Sequence, residues 1–163
     1  MNILILKKMS ALSFIFGVML GVIAVIPVIG TLAFMILMFI SATLVLIYLK
    51  RKNLIGMLIP KDGAIYGAVI GFVSCIGFCA SMVPLATLIA YINHLWFHKL
   101  VWYSSIRIWF TSGIGGFLVL LMMIFFVAML SALMNAFAGL ATVYFYDQIL
   151  NKEDTDNTFH IDN

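Results

Sequence analysis

The sequence predicts an all-α integral membrane protein with four transmembrane helices, because it is strongly apolar and contains four long uncharged stretches. Of its 163 residues, 65% are hydrophobic and 9% are charged, and the mean hydropathy is +1.20. Soluble domains carry about 25% charged residues, and disordered chains combine low hydrophobicity with high charge. The composition therefore excludes both classes. A secreted disulfide scaffold is disfavoured as well, because the chain has 2 cysteines.

The four apolar stretches are each long enough to cross a bilayer. A helix needs about 20 mostly apolar residues to span a hydrocarbon core of about 30 Å. The stretches contain no Asp, Glu, Lys, Arg or His, and they lie at about residues 9–29, 31–49, 63–90 and 117–144. We expect them to form an antiparallel bundle of two hairpins, and residues 1–146 to form one transmembrane domain.

Proline and glycine mark the breaks between the first three spans. Pro27 and Gly30 are expected to end the first helix and to permit a tight reversal. In the basic loop that follows the second span, Pro60 is expected to stop any helix. Asp62 is well placed to cap the start of the third span.

The basic residues predict the orientation and one class of partner. Seven of the nine Lys and Arg residues flank the spans on one side, and Lys99 and Arg107 lie on the other. This asymmetry predicts a multi-pass protein of the bacterial inner (plasma) membrane with both termini in the cytoplasm. The basic loop at residues 50–61 is expected to meet anionic lipids of the bilayer, and nucleic acid is not expected as a partner. Residues 147–163 are acidic, with a net charge of −4, and are expected to be a disordered cytoplasmic tail.

Residues 93–112 separate the third and fourth spans and hold all three tryptophans of the chain. In a helical projection His94 and His98 lie on a polar stripe, and Trp102 and Trp109 lie roughly opposite. Such a pattern predicts an interfacial amphipathic helix on the outer leaflet. The alternative is a fourth span that starts earlier and kinks at its glycines.

Small residues recur every four positions in three of the four spans, as in a glycine zipper. Such rows allow close helix packing in lipid, where hydrophobic attraction between helices is weak. The candidate packing residues are Gly17, Gly21, Gly63, Gly67, Gly71, Ala128, Ala132, Ala136 and Gly139. Two alternatives remain open for them, packing within one chain and a symmetric interface between chains. The second span lacks such a row, and it is therefore the best candidate for the lipid-facing helix.

A few side chains could carry chemistry, and each has a structural explanation. Asn135 is the most polar residue within a span and is expected to form hydrogen bonds between helices, with solute contact as the alternative. Three sulfur-containing residues and two histidines have spacings compatible with soft-metal or zinc ligation. These weak candidates are Cys75, Cys79 and Met82, and His94 and His98. We expect them to serve packing or the interface, and we predict neither a metal centre nor a cofactor.

The pattern favours a non-catalytic function. The spans hold no acid–base pair, no nucleophile with a base and no phosphate-binding loop. The best hypothesis is a small membrane subunit that acts in assembly or interaction through small-residue helix packing, as a homo-oligomer or within a larger membrane complex. The alternatives are an oligomeric transporter or channel for a small solute and a membrane-embedded soft-metal site.

Overall fold

The structure is a computed structural model that describes residues 3–52, 59–96 and 113–158 of the chain. Apart from short turns, these residues are helical. The helices are α1 (Ile3–Ile23), α2 (Pro27–Phe39), α3 (Ser41–Arg51), α4 (Pro60–Trp96) and α5 (Gly113–Thr158). The predicted all-helical fold is therefore confirmed for the part of the chain that the structure describes.

The described helices include three or four candidate membrane spans. The segments Leu6–Ile23, Pro60–Ile89 and Gly113–Tyr146 are each long and apolar enough to cross a membrane. A fourth crossing results if α2 and α3 form one span, which is bent by 63° at the break between them. These long apolar helices fit a multi-pass membrane protein.

Helix α4 lies at the centre of the bundle and packs mainly against α1 and α5. It runs parallel to α1, because Gly17 adjoins Ser74 and Gly21 adjoins Phe78. Helix α5 is antiparallel to α4, because Gly63 adjoins Gly139 and Gly71 adjoins Ser131 in the reverse order. One apolar cluster joins α1, α3, α4 and α5 through Met9, Leu49, Tyr66 and Val143. The start of α1, the end of α3 and the start of α4 therefore lie at the same end of the bundle.

The turns lie at positions other than those that the sequence predicts. The reversal after α1 occupies residues 24–26, and Pro27 begins α2 while Gly30 lies inside it. Pro60 likewise begins α4 instead of ending a helix, and Asp62 lies in the first turn rather than at the cap. A proline is well suited to this position, because the first backbone N–H groups of a helix have no partner within it.

Helices α4 and α5 extend beyond the predicted spans. Helix α4 continues to Trp96 with Pro84 inside it, so it includes the start of the predicted interfacial segment, whose residues 97–112 lie outside the described part. Helix α5 continues to Thr158, through most of the segment predicted to be disordered. Extending an existing helix adds one hydrogen bond per residue without a new nucleation step, which composition alone does not take into account.

Candidate functional site: the polar centre of the bundle

Four polar side chains from three helices meet inside the apolar bundle. Ser41 of α3, Ser74 of α4, and Ser131 and Asn135 of α5 are all 0% exposed. A buried polar group without a hydrogen-bond partner is costly, and hydrocarbon offers none. These side chains must therefore find their partners within the protein.

The Asn135 side-chain amide lies in the break between α2 and α3. Its Oδ1 accepts hydrogen bonds from the Ser41 hydroxyl at 2.8 Å and from the backbone N–H of Ala42 at 2.9 Å. Its Nδ2 donates to the carbonyl oxygens of Leu37 at 3.1 Å and Met38 at 3.0 Å. In an unbroken helix the N–H of Ala42 would donate to the carbonyl of Met38. The amide of Asn135 thus replaces this one backbone hydrogen bond by two bonds, one to the N–H of Ala42 and one to the carbonyl of Met38.

This insertion accounts for the bend of the second span. Regular backbone hydrogen bonds persist on both sides, from Ile40 N–H to Ile36 at 2.9 Å and from Leu44 N–H to Ile40 at 3.0 Å. A side chain inserted between an N–H and the carbonyl four residues earlier is a recognised cause of sharp kinks. The segment contains neither proline nor glycine at the break. The amide of Asn135 lies at the kink, together with a local bond from the Ser41 hydroxyl to the carbonyl of Leu37 at 2.9 Å.

The expectation that the second span faces lipid is consequently wrong for much of its length. Leu37 and Ala42 are 0% exposed, and Val45, Leu46 and Leu49 are also buried. The span has no row of small residues, but it packs through one apolar face and is bonded to α5 at the break. A further bond to α5 joins Thr43 and Thr142, whose hydroxyl oxygens are 2.9 Å apart.

The serines extend the hydrogen-bond network to α4. The carbonyl of Gly71 accepts from the Ser131 hydroxyl at 3.1 Å and from the Ser74 hydroxyl at 3.2 Å. The oxygens of Ser41 and Ser74 lie 3.5 Å apart, and Asn135 Nδ2 also donates to the carbonyl of Ser131 at 3.0 Å. Among the described residues, every buried side-chain nitrogen or oxygen has a hydrogen-bond partner.

The small-residue rows lie where helices of the same chain approach most closely. A Cβ atom added at Gly67 would overlap the backbone carbonyl of Asn135, and one at Gly139 would overlap that of Gly63. On the other side of α4, a Cβ at Gly17 would overlap the carbonyl of Ser74. Ala128 is fully buried, and Ala132 and Ala136 are half-buried. These glycines thus lie at close approaches between α1, α4 and α5 of one chain.

Sequence reasoning missed the row of small residues on α4 that faces α1. A Cβ at Gly77 would lie 2.6 Å from the carbonyl oxygen of Phe14, and the hydroxyl of Ser81 donates to the carbonyl of Val18 at 3.1 Å. The signal was present, because Ser74, Gly77 and Ser81 follow one another at spacings of three and four. The longer row of α4 that contains Gly63, Gly67 and Gly71 obscured this signal.

The three sulfur-containing candidates, Cys75, Cys79 and Met82, lie together at one of the apolar clusters of the bundle. Cys75 and Cys79 are free thiols, and Cys79 and Met82 pack around the apolar cluster that contains Cys75. No group of three or more His, Cys, Asp or Glu that could hold a metal ion occurs in the described ranges. His94 lies in α4 with its side chain outside the described part, and His98 lies outside it altogether.

Comparisons with known proteins give no further guide to the site. No protein-family model, no curated protein and no solved structure matches the chain.

Proposed function

We propose that the chain is a non-catalytic subunit of a membrane assembly and that it binds its partner through the outward surface of α5. The proposal rests on the observation that the polar groups inside the bundle bond within the protein. In the described ranges, the buried hydroxyls and the Asn135 amide bond to one another or to backbone carbonyls and N–H groups. Such groups stabilise the bundle and are not free to activate a substrate.

The outward surface of α5 belongs to the least buried of the three continuous spans among the described helices. Of its spanning window, 11% is buried, against 28% for α1 and 33% for α4. Lipid accepts any apolar side chain, whereas protein interfaces are enriched in aromatic residues and methionine, and methionine adapts to irregular partners. Both types dominate this surface, whose exposed members include Phe117, Met122, Met123, Phe125, Phe126, Met129, Phe137 and Phe145.

In this proposal the glycine rows pack the helices of one chain together, which is one of the two alternatives that the sequence leaves open. Because they hold the chain's own helices together, they are not available to a partner. Their use inside the bundle supports packing within one chain over a symmetric interface between copies. Assembly is therefore assigned to the methionine and phenylalanine surface.

Site-specific photo-crosslinking in membranes tests this assignment. A photoreactive amino acid replaces Phe126, which is 72% exposed, and in a matched control it replaces Met19 of α1, which is 59% exposed. The proposal expects a discrete crosslinked polypeptide, either a second copy or another membrane protein, from Phe126 and not from Met19. Crosslinks to lipid alone at both positions would contradict it.

Transport of a small solute is the second candidate, and the broken second span favours it. Many transporters form their substrate sites at discontinuous helices near the bilayer midplane. The four apolar stretches contain no Asp, Glu, Lys, Arg or His, which disfavours coupling to ions. Solute flux in liposomes that is lost in Asn135→Leu would support transport, and the absence of any flux through the wild-type protein would contradict it.

The orientation of the chain also remains a proposal. Lys7, Lys8, Arg51, Lys52 and Lys61 are exposed at one end of the bundle. Basic residues favour an anionic cytoplasmic leaflet, so this end is assigned to the cytoplasm of a bacterial cell and to contact with anionic lipids. Labelling of Lys52→Cys by a membrane-impermeant maleimide only after cell lysis would support this orientation. Labelling in intact spheroplasts would contradict it.

A further inference from the structure

We infer that the second span is a two-state hinge whose bent state exists only while the Asn135 amide is inserted. The inference goes beyond the proposed function, because it concerns how the conformation of α2 and α3 depends on α5. It rests on the geometry of the break, where one amide bonds both groups of an interrupted backbone hydrogen bond.

The groups at the break can satisfy each other when Asn135 is withdrawn. The N–H of Ala42 and the carbonyl of Met38 are partners in a regular helix, and nothing in the sequence at Ile40 prevents that bond, because the residues there lack proline and glycine. In the bent state the amide of Asn135 satisfies these two groups, and in the straight state they satisfy each other, so neither is left without a partner in lipid. Two satisfied arrangements of the same segment are the requirement for a hinge.

The order of the spans along the chain indicates that the straight state of the hinge precedes the bent state. Residues 27–51 precede α5, so they are inserted before Asn135 is available. Until α5 docks, lipid offers the break no hydrogen-bond partner, and the straight form is the satisfied one. The docking of α5 then bends the span by inserting the amide. The bend thus reports whether the fourth crossing has packed against the rest of the bundle.

The two states differ by a measurable distance. Ile29 and Arg51 are both exposed, and each lies eleven positions from Ile40. At about 1.5 Å per residue, their Cα atoms are about 33 Å apart in a straight helix and about 28 Å apart with the 63° bend. Spin labels at Ile29→Cys and Arg51→Cys, in a chain with Cys75→Ala and Cys79→Ala, allow the distance to be measured by double electron–electron resonance.

The wild-type protein is expected to give the shorter distance. Asn135→Leu is expected to lengthen it by at least about 3 Å, which is most of the difference between the bent and the straight span. Asn135→Ala is measured in parallel, because it introduces no additional bulk. Adding Ala42→Pro to Asn135→Leu should restore the short distance, because proline has no N–H with which to close the helix. Asn135→Asp should keep it, because a protonated carboxyl can accept from Ala42 and donate to Met38.

Three results would overturn the inference. One is a wild-type distance of about 33 Å, which would show that the span is straight with the amide present. Another is an unchanged short distance in folded Asn135→Leu or Asn135→Ala. The third is failure of both variants to give a monodisperse helical protein, because a span that satisfies its own backbone should leave the bundle intact.

Discussion

Replacement of Gly67 by alanine tests the packing of α4 against α5 most sharply. A Cβ atom at this position would overlap the carbonyl oxygen of Asn135 and would lie 3.0 Å from the carbonyl carbon and 3.1 Å from the Cα of Gly139. Those neighbours are backbone atoms, which cannot rotate aside. Ordinary contacts of this kind are about 3.3–3.6 Å, so the two helices must separate by roughly 1 Å.

The expected cost follows from two opposing effects. Overpacking costs about 1–3 kcal/mol, and the upper part of that range applies where backbone meets backbone. Alanine regains up to about 1 kcal/mol through its higher helix propensity. The Gly67→Ala variant should therefore lose about 2 kcal/mol of unfolding free energy, because the separation also stretches the hydrogen bonds of Asn135.

Steric trapping in bicelles measures this free energy in a membrane environment. The matched control is Gly115→Ala, because a Cβ at Gly115 of α5 meets nothing within 4 Å. The control should be as stable as the wild-type protein or slightly more stable. A Gly67→Ala protein as stable as this control would refute the packing described for α4 and α5.

Two further predictions use the same assay. Ser131→Ala removes the bond to the Gly71 carbonyl and should lower the unfolding free energy by about 0.6–1.7 kcal/mol. The control Thr87→Ala should lower it less, because Thr87 bonds only to its own helix. Equal losses in the two variants would contradict the role of Ser131. The ammonium of Lys50 lies 4.3 Å from the centre of the Tyr146 ring. Tyr146→Leu should therefore cost about 0.5–1 kcal/mol and Tyr146→Phe almost nothing, and a reversed order would exclude the cation–π contact.

The class of protein could be predicted from the sequence because it depends on composition and length alone. Four uncharged stretches of sufficient length leave few alternatives to membrane-spanning helices. The exact turns could not be predicted, because proline fits both the end of one helix and the first position of the next. At Pro27 and Pro60 the second possibility is realised.

The bend at Ile40 could not be predicted because its cause lies 95 positions along the chain, at Asn135. The sequence from Leu37 to Thr43 contains neither proline nor glycine, the residues that most often mark such a break. The polarity of Asn135 indicated a hydrogen bond between helices, but polarity does not identify the partner. The partners include two backbone groups of the second span. That span has no row of small residues, and the sequence therefore predicts that it faces lipid.

The claim that the chain works by assembly is tested most directly by native mass spectrometry of the protein extracted in a mild detergent. We expect one defined complex larger than the monomer, either a homo-oligomer or a heteromer of fixed stoichiometry. This complex should be lost when Met122 and Phe126 on the outward surface of α5 are both replaced by alanine. A bare monomer under conditions that retain bound lipid would contradict it.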